Sequence, residues 1–258
     1  MVSQKDLSSE NRSYWTGRAP GYSEVNRQEL STQQRQKWSG CLREEIERRF
    51  PGIPMQDLRV LDVGTGPGFF AILLSQMGCS VTAVDMTPAM LDEARKNAGE
   101  LADSIRFLEM DAQTLEFPDD SFDLVVSRNL TWDLPDPAKA YVEWARVLAP
   151  GGMMLIFDAN WYAYLFDEKA REAYERDRIN SAGSGIGDQN VGENFDVMED
   201  IAKQLPLSGV HRPQWDIAQL VSCGLTAEAD ENVWQRVWSD EEKINFASTP
   251  LFLVRAYR

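Results

Sequence analysis

Apolar positions follow two different periods along the chain, and the two periods alternate. Short apolar runs rich in β-branched residues predict buried strands at Leu58–Val63, Val81–Val84, Ile105–Met110, Phe122–Ser127 and Met153–Asp158. Helical spacing predicts helices among them at Pro67–Met77, Pro88–Gly99 and Ala138–Leu148. Alternation of strand and helix in this way predicts an α/β fold with a parallel sheet and helices on both faces.

The segments on either side of this core follow other patterns. Apolar residues recur at every fourth position within Ser31–Phe50, which predicts a helix with one apolar face. After the fifth strand, the sequence predicts helices at Glu168–Asn180, Asp196–Gln204 and Asp216–Cys223, a mobile glycine-rich loop at Ser181–Gly192, and strand pattern at Leu225–Trp238 and Leu251–Tyr257.

Four parts follow from these patterns. We expect an N-terminal helical lid segment at 1–54, a Rossmann-like core at 55–160, an inserted helical cap at 161–224 and strands that complete the core sheet at 225–258.

Composition narrows the classes of partner and compartment. The 258 residues include 26 Lys and Arg against 41 Asp and Glu, a formal charge of −15, which disfavours nucleic acid and anionic membranes as partners. The first residues are polar and the chain has no long apolar run, so we expect neither a signal peptide nor a membrane span. Three scattered cysteines predict reduced thiols and a cytoplasmic protein, and a single histidine argues against a multi-histidine metal site, so we expect no metal.

A glycine-rich turn carries the main chemical signal. The run VLDVGTGPG places Gly64, Gly66 and Gly68 between a predicted strand and a predicted helix. Such a turn brings backbone N–H groups and the positive end of a helix close to a ligand, which suits a nucleotide or a carboxylate. The spacing G-x-G-x-G differs from the dinucleotide fingerprint G-x-G-x-x-G.

Three carboxylates accompany this turn. Asp62 precedes the first glycine by two positions, Asp85 ends the second predicted strand and Asp111 ends the third. A carboxylate at the position of Asp85 can accept hydrogen bonds from ribose hydroxyls, and one at the position of Asp111 can accept from an adenine amine. Each of them also fits a plain turn or helix cap, so the interpretation depends on the three together.

Four segments in order resemble one family. VLDVGTGPG (60–68), AVDMTPAMLDEAR (83–95), FLEMDAQTLEFPDDSFDLVVSRN (107–129) and RVLAPGGMMLIFD (146–158) resemble the class I S-adenosylmethionine-dependent methyltransferases. The resemblance covers roughly 58–158 strongly and the later strands weakly. It implies a seven-stranded Rossmann-like sheet with the last strand antiparallel, S-adenosylmethionine as cofactor and S-adenosylhomocysteine as product.

The resemblance also implies residue roles. The three loop glycines would lie under the methionyl part, with Asp62 orienting the loop, Asp85 on the ribose and Met86 on the adenine. The remaining cofactor-binding residues that it implies are Asp111, Ala112, Ser127 and Asn129.

The N-terminal segment adds candidates. In related small-molecule methyltransferases an N-terminal helix closes over the cofactor, which would involve Tyr14 and Tyr22, with Arg18 on the cofactor carboxylate. Packing of these aromatic residues onto the core is an equal alternative.

The sequence indicates only the chemical class of the methyl acceptor. The family's Asn/Asp-Pro-Pro-Tyr motif for amino methylation is replaced by Ser127-Arg128-Asn129-Leu130, which favours a small-molecule acceptor methylated at O, N, S or C. Trp132, Trp161 and Tyr162 are expected to line its site, since they follow the fourth and fifth strands, and they would suit an amine-bearing or aromatic compound. His211 is a weak candidate for a catalytic base, and a packing role for it is more common.

Other functions fit the same residues less well. A nicotinamide-dependent oxidoreductase requires the other glycine spacing, and the chain has no Tyr-x-x-x-Lys motif. A non-catalytic module would bind the cofactor or a partner without turnover. A tRNA methyltransferase conflicts with the acidic charge, and a protein methyltransferase remains open.

Overall fold

A seven-stranded sheet forms the centre of the molecule. The computed structural model describes residues 4–187 and 195–258. In sheet order the strands are β3 (Ile105–Glu109), β2 (Ser80–Asp85), β1 (Arg59–Val63), β4 (Phe122–Arg128), β5 (Leu148–Asp158), β7 (Phe252–Tyr257) and β6 (Thr226–Asp230). The first five are parallel, and β7 is antiparallel to both β5 and β6. The predicted α/β fold with an inserted antiparallel last strand is confirmed.

Helices cover both faces of the sheet. In the described part of the chain they are α1 (Gln4–Ser31), α2 (Gln33–Arg49), α3 (Phe69–Gln76), α4 (Pro88–Ala98), α5 (Pro137–Val147), α6 (Glu168–Gly183), α7 (Phe195–Ala202), α8 (Gln214–Ser222), α9 (Trp234–Val237) and α10 (Asp240–Asn245). Short 3₁₀ turns lie at Met55–Asp57, Gly99–Ser104, Thr131–Asp133 and Ala163–Leu165. No helix in these described ranges is long and apolar enough to cross a membrane.

The apolar positions that predicted the elements form two core layers. On one face, Trp38 and Leu42 of α2 pack with Phe70 and Leu73 of α3 against the sheet. On the other face, α5 packs against the sheet through buried side chains that include Trp144. Each layer removes large apolar side chains from water, which is the main favourable contribution to folding.

Several boundaries differ from the sequence predictions. Strand β5 begins at Leu148 instead of Met153, and two other differences have a local cause. The helix predicted from Pro67 begins at Phe69, because Gly68 adopts φ +89° and lies outside the helical region. The pattern at Leu225–Trp238 contains a strand only to Asp230, because the Asp230 carboxylate accepts the backbone N–H of Asn232 at 2.9 Å and turns the chain into α9.

The predicted mobile loop at Ser181–Gly192 is described only in part. Helix α6 continues through its first residues to Gly183, and positions 188–192 lie outside the described residues.

Candidate active site

The glycine turn between β1 and α3 forms the base of the site. Gly64, Gly66 and Gly68 all have positive φ, between +52° and +89°, which side chains rarely tolerate. The backbone N–H of Thr65 donates to the carbonyl of Val84 at 3.0 Å, which ties the turn to the end of β2. The turn therefore presents bare backbone at the carboxyl edge of the sheet, where open α/β sheets bind ligands.

Two carboxyl groups, of which Asp62 is buried and Asp85 half-buried, hold this turn. Asp85 accepts the backbone N–H of Gly66 at 2.9 Å on one oxygen and that of Thr87 at 2.8 Å on the other. Asp62 accepts the Thr65 hydroxyl at 2.6 Å. Burial raises the pKa of Asp85, and it raises the pKa of Asp62 to about 7. Each oxygen of Asp85 keeps capacity for a further donor, so ribose hydroxyls can still bind there.

A pocket opens above the turn, and we call it the glycine-loop pocket. Its lining includes Gly64, Gly66, Asp85, Met86, Asp111, Ala112 and Asn129 among the residues that the sequence predicted. Asp111 is exposed and closes its own turn by accepting the backbone N–H of Gln113 at 2.9 Å. Thus the carboxyl ends of β1, β2, β3 and β4 meet at one cavity.

Helix α1 forms the opposite wall of this pocket. Ser8, Asn11, Trp15 and Tyr22 line it, and their spacing of three, four and seven residues places them on one helix face. Ser8, Asn11 and Trp15 were not among the predicted site residues, because the sequence does not show which face of α1 packs over the pocket.

Asp133 fastens α1 to the core. Its Oδ2 accepts the indole N–H of Trp15 at 2.5 Å, and its backbone carbonyl accepts the Asn11 amide at 2.7 Å. The residue is only 6% exposed, and Oδ1 accepts no hydrogen bond from the residues that the structure describes. Burial raises the pKa of Asp133 to about 8.

A second cavity adjoins the first, and we call it the aromatic pocket. Eight of its lining residues are aromatic: Trp15, Tyr22, Trp132, Trp161, Tyr162, Tyr164, Trp238 and Phe246. The ring centroids of Trp132 and Tyr162 lie 5.0 Å apart, and those of Trp161 and Phe246 lie 5.4 Å apart. All three aromatic residues predicted for the acceptor wall, Trp132, Trp161 and Tyr162, therefore line one cavity.

A buried ion pair lies where the two pockets meet. Both terminal nitrogens of Arg128 donate to the carboxylate of Glu29. The Arg128 side chain is 14% exposed and that of Glu29 is 4% exposed. The guanidinium also stacks on Trp38 and Phe69, with its central carbon 4.7 Å and 4.6 Å from the ring centroids. Attraction by Glu29 outweighs burial and raises the pKa of Arg128, so this side chain stays charged.

Four residues belong to both cavities: Trp15, Tyr22, Arg128 and Asn129. Asn129 follows β4 directly and adopts φ +56°, an uncommon backbone conformation for a residue other than glycine. Such conformations cluster at ligand sites, where the surrounding structure maintains them. A ligand in one pocket can therefore meet a ligand in the other beside Asn129.

A buried polar network supports the wall of the aromatic pocket. Asp158 at the end of β5 accepts the backbone N–H of Trp132 at 3.0 Å and a guanidinium nitrogen of Arg212 at 2.9 Å. Arg212 also donates to Asp216 of α8 at 2.6 Å, and to the hydroxyl of Thr131. The segment before α8 is thereby fixed to the ends of β4 and β5.

Several predicted site residues lie outside the glycine-loop pocket. Asp62 lines a small cavity behind the turn, with Tyr22 and Arg128, and Arg18 lines the aromatic pocket. Gly68, Ser127 and Tyr14 are absent from the described lining of the glycine-loop and aromatic pockets. His211 is exposed and is also absent from the described lining of both.

The residues present fit S-adenosylmethionine. Gly64 has φ +66°, and a Cβ there would lie 2.6 Å from Cδ2 of Leu130, so the turn requires glycine at this position. Asp85 provides acceptors for the ribose, and Met86 and Met110 provide apolar surface for the base. Oδ1 of Asp133 and Oδ1 of Asn129 are buried acceptors without a partner among the described residues, as expected at a site that takes a polar ligand.

Comparison with known proteins supports this assignment. Residues 61–156 match the family model of a methyltransferase domain. A demethylmenaquinone methyltransferase of Thermus thermophilus is 40% identical over 102 residues, which cover 39% of this chain and 46% of that protein. A ubiquinone biosynthesis O-methyltransferase of Alkalilimnicola ehrlichii is 33% identical over 115 residues, 43% of this chain and 47% of that protein. The match thus spans less than half the length of these relatives.

The fold has solved counterparts. The crystal structure of an S-adenosylmethionine-dependent methyltransferase from Mesorhizobium loti aligns over 83% of this chain and 96% of that one, with a TM-score of 0.57 and 19% identity. At this identity the likeness establishes the fold. The comparisons support a methyltransferase and give no support to a nicotinamide-dependent oxidoreductase.

Proposed function

Because the chain belongs to the class I S-adenosylmethionine-dependent methyltransferase family, we propose that it transfers a methyl group from S-adenosylmethionine to a small aromatic acceptor. The cofactor occupies the glycine-loop pocket and the acceptor occupies the aromatic pocket. The observation that carries the proposal is the junction of the two cavities at Trp15, Tyr22, Arg128 and Asn129.

The chain's residues contribute positioning and shielding. S-Adenosylmethionine supplies an electrophilic methyl group on a sulfonium, whose charge disappears on transfer, so the leaving group needs no acid. The turn at Gly64–Gly66 lies under the methionyl part and the Asp85 carboxylate holds the ribose, while Trp15 and Tyr22 cover the junction and exclude water. Holding two reactants in line replaces a bimolecular encounter, which accounts for much of such a catalytic effect.

The charge balance of the aromatic pocket favours a neutral acceptor. Its charged lining consists of Arg18, Arg128, Glu29 and Glu242, and two arginines cancel two glutamates. Glu29 is already engaged by Arg128, and burial raises the pKa of Glu242. A cationic amine therefore gains little from this pocket beyond cation–π contact. A planar aromatic compound gains stacking from several rings without needing a counter-charge.

Calorimetric titration tests the cofactor first. We expect S-adenosylmethionine and S-adenosylhomocysteine to bind and NAD not to bind. Asp85→Asn should weaken binding of both sulfur compounds by at least about tenfold, because a hydrogen bond to a charged group contributes about 1.5–3 kcal/mol. Asp103→Asn, which changes an exposed carboxylate, is the matched control. Binding of NAD in place of the sulfur compounds would reject the proposal.

Transfer of labelled methyl groups to a panel of neutral phenols and of amines tests the acceptor. We expect phenols to be methylated, and Trp161→Ala to raise the KM for the acceptor while leaving cofactor affinity unchanged. Trp234→Ala is the control, since Trp234 is a half-buried tryptophan absent from the described lining of the aromatic pocket. Methylation of amines alone would overturn the aromatic acceptor. Cofactor binding without turnover on any panel member would favour a non-catalytic module.

A further inference from the structure

One carboxyl group of the aromatic pocket keeps an oxygen atom without a hydrogen-bond donor. Glu242 of α10 lines the pocket, and its Oε2 accepts the backbone N–H of Ser239 at 2.8 Å and the side-chain amide of Gln34. Its Oε1 accepts no hydrogen bond from the described residues, and it is not one of their enclosed polar atoms without a partner. Two donors therefore fix the orientation of the carboxyl group, while the second oxygen can meet a ligand.

This carboxyl group lies near the junction of the two pockets. Arg128 attracts it and Glu29 repels it, and these two residues form the ion pair where the pockets meet. Phe246 follows Glu242 by one helical turn and packs on Trp161, with ring centroids 5.4 Å apart. Both rings line the same pocket. An aromatic acceptor held among these rings therefore has the carboxyl group of Glu242 beside it.

Methylation of a neutral phenol requires a group that accepts the hydroxyl proton. Glu29 is occupied, because both of its oxygens accept hydrogen bonds from Arg128. The tyrosines of the pocket hold their own protons, because burial raises the pKa of each phenol. His211, the base suggested by the sequence, is exposed and absent from the described lining. Among the described lining residues, the free carboxylate oxygen of Glu242 is thus the acceptor that remains.

We propose that Glu242 is the general base that accepts the hydroxyl proton of a neutral phenolic acceptor. As the phenol oxygen forms its bond to the methyl carbon, its O–H bond breaks and the proton moves to Oε1 of Glu242. The carbon–sulfur bond breaks with its electron pair on sulfur, so the charges of the sulfonium and of the carboxylate disappear together. The carboxylic acid then returns its proton to solvent. This inference rests on the proposed function, since it requires a phenol in the aromatic pocket beside S-adenosylmethionine.

The surroundings of Glu242 strengthen it as a base. Burial outweighs the attraction by Arg128 and the hydrogen bond from Ser239, and it raises the pKa of Glu242. A carboxylate with a higher pKa accepts a proton more readily, which favours general base catalysis. The charged side chains on the elements around it are Arg18 and Glu29 of α1, Lys37 of α2, Arg128 at the end of β4, Asp177 and Arg178 of α6, and Asp240, Glu241 and Lys243 of α10 itself.

Substitution by the amide separates proton transfer from packing. Glu242→Gln keeps an oxygen for the two donors and removes the base. For a phenol that is neutral at the assay pH, kcat should fall about 100-fold or more, because general base catalysis contributes about 10²–10⁴-fold. For a phenol that is already ionised, kcat should change less than about threefold, since no proton has to be removed. Glu241→Gln changes an exposed carboxylate of the same helix, and this matched control should leave both rates unchanged.

The pH profile provides a second test, which holds even if Glu242→Gln does not fold. In the parent protein, kcat/KM for a neutral phenol should fall as the pH falls through the pKa of Glu242, because only the ionised carboxylate accepts a proton. Gln34→Leu removes a donor that stabilises the ionised form, so this fall should move to higher pH. A profile that does not move would contradict the proposal.

A bound nitrophenol gives a measurement without turnover. With S-adenosylhomocysteine present, spectrophotometric titration measures the pKa of the bound nitrophenol. We expect this pKa to be lower in Glu242→Gln than in the parent, because the carboxylate repels a phenolate. Equal values in the two proteins, or an equal loss of kcat for neutral and ionised phenols, would overturn the proposal. Absence of methylation of every phenol by the parent protein would instead reject the proposed function.

Discussion

The buried network around Arg212 gives the sharpest prediction about stability. The Arg212 side chain is 1% exposed, and its two carboxylate partners, Asp158 and Asp216, are fully buried. Replacing Arg212 by methionine keeps much of the volume but leaves two buried carboxylates without their cation. Removal of one partner of a buried ion pair costs about 3–5 kcal/mol. We therefore expect the free energy of unfolding to fall by that amount, and Tm to fall by roughly 6–20 °C for a chain of this size.

Urea unfolding at pH 7 measures this change. Arg43→Met is the matched control, since Arg43 pairs with Glu47 at the surface, with side chains 48% and 60% exposed, and such pairs contribute about 0–1 kcal/mol. Adding Asp216→Asn to Arg212→Met should recover part of the loss, because one uncompensated charge is removed. The reasoning is refuted if Arg212→Met costs no more than Arg43→Met.

Two further predictions concern the glycine turn and acid stability. Gly64→Ala should weaken S-adenosylmethionine binding at least about tenfold, because its Cβ would collide with Leu130. The control Gly52→Ala, at φ +78° with open space around it, should lower stability without changing affinity. Equal affinities of Gly64→Ala and the parent protein in calorimetry would contradict this prediction. Burial alone would raise the pKa of Glu45, but hydrogen bonds from Arg255 outweigh burial and hold this pKa below its ordinary value. The ionised Glu45 therefore stabilises the fold at pH values above its unfolded-state pKa, and this stabilisation is lost as the pH falls through the lower folded-state pKa. Urea unfolding at pH 7 and in acid should show a smaller pH dependence for Glu45→Gln than for the parent, and identical slopes would refute the assignment.

The sequence predicted the fold because its signals are local. The strands are short apolar runs, such as the predicted run Leu58–Val63 that contains β1 (Arg59–Val63), and the turn at Gly64–Gly68 requires its glycines because of their positive φ. The carboxylates at strand ends follow from topology, because parallel strands bring their carboxyl ends to one edge. These features need no knowledge of distant contacts.

The rest of the site depends on contacts between distant segments. The hydrogen bond from Trp15 to Asp133 joins residues 118 positions apart, and no local pattern marks either partner. The sequence drew attention to His211 because histidine often acts as a catalytic base, whereas the structure buries its neighbour Arg212 and leaves His211 exposed. Burial decides which polar side chain matters, and burial is settled only when the chain is folded.

The position of β7 has a consequence for synthesis of the protein. β7 separates β5 from β6, although β6 precedes it in the chain by more than twenty residues. Until β7 leaves the ribosome, β6 has no neighbour to pair with, and β5 exposes a long unpaired edge rich in apolar residues. A nascent chain whose β7 has not yet emerged therefore exposes the edge of β5 as a template for pairing with other chains, which makes this the stage of synthesis with the greatest aggregation risk.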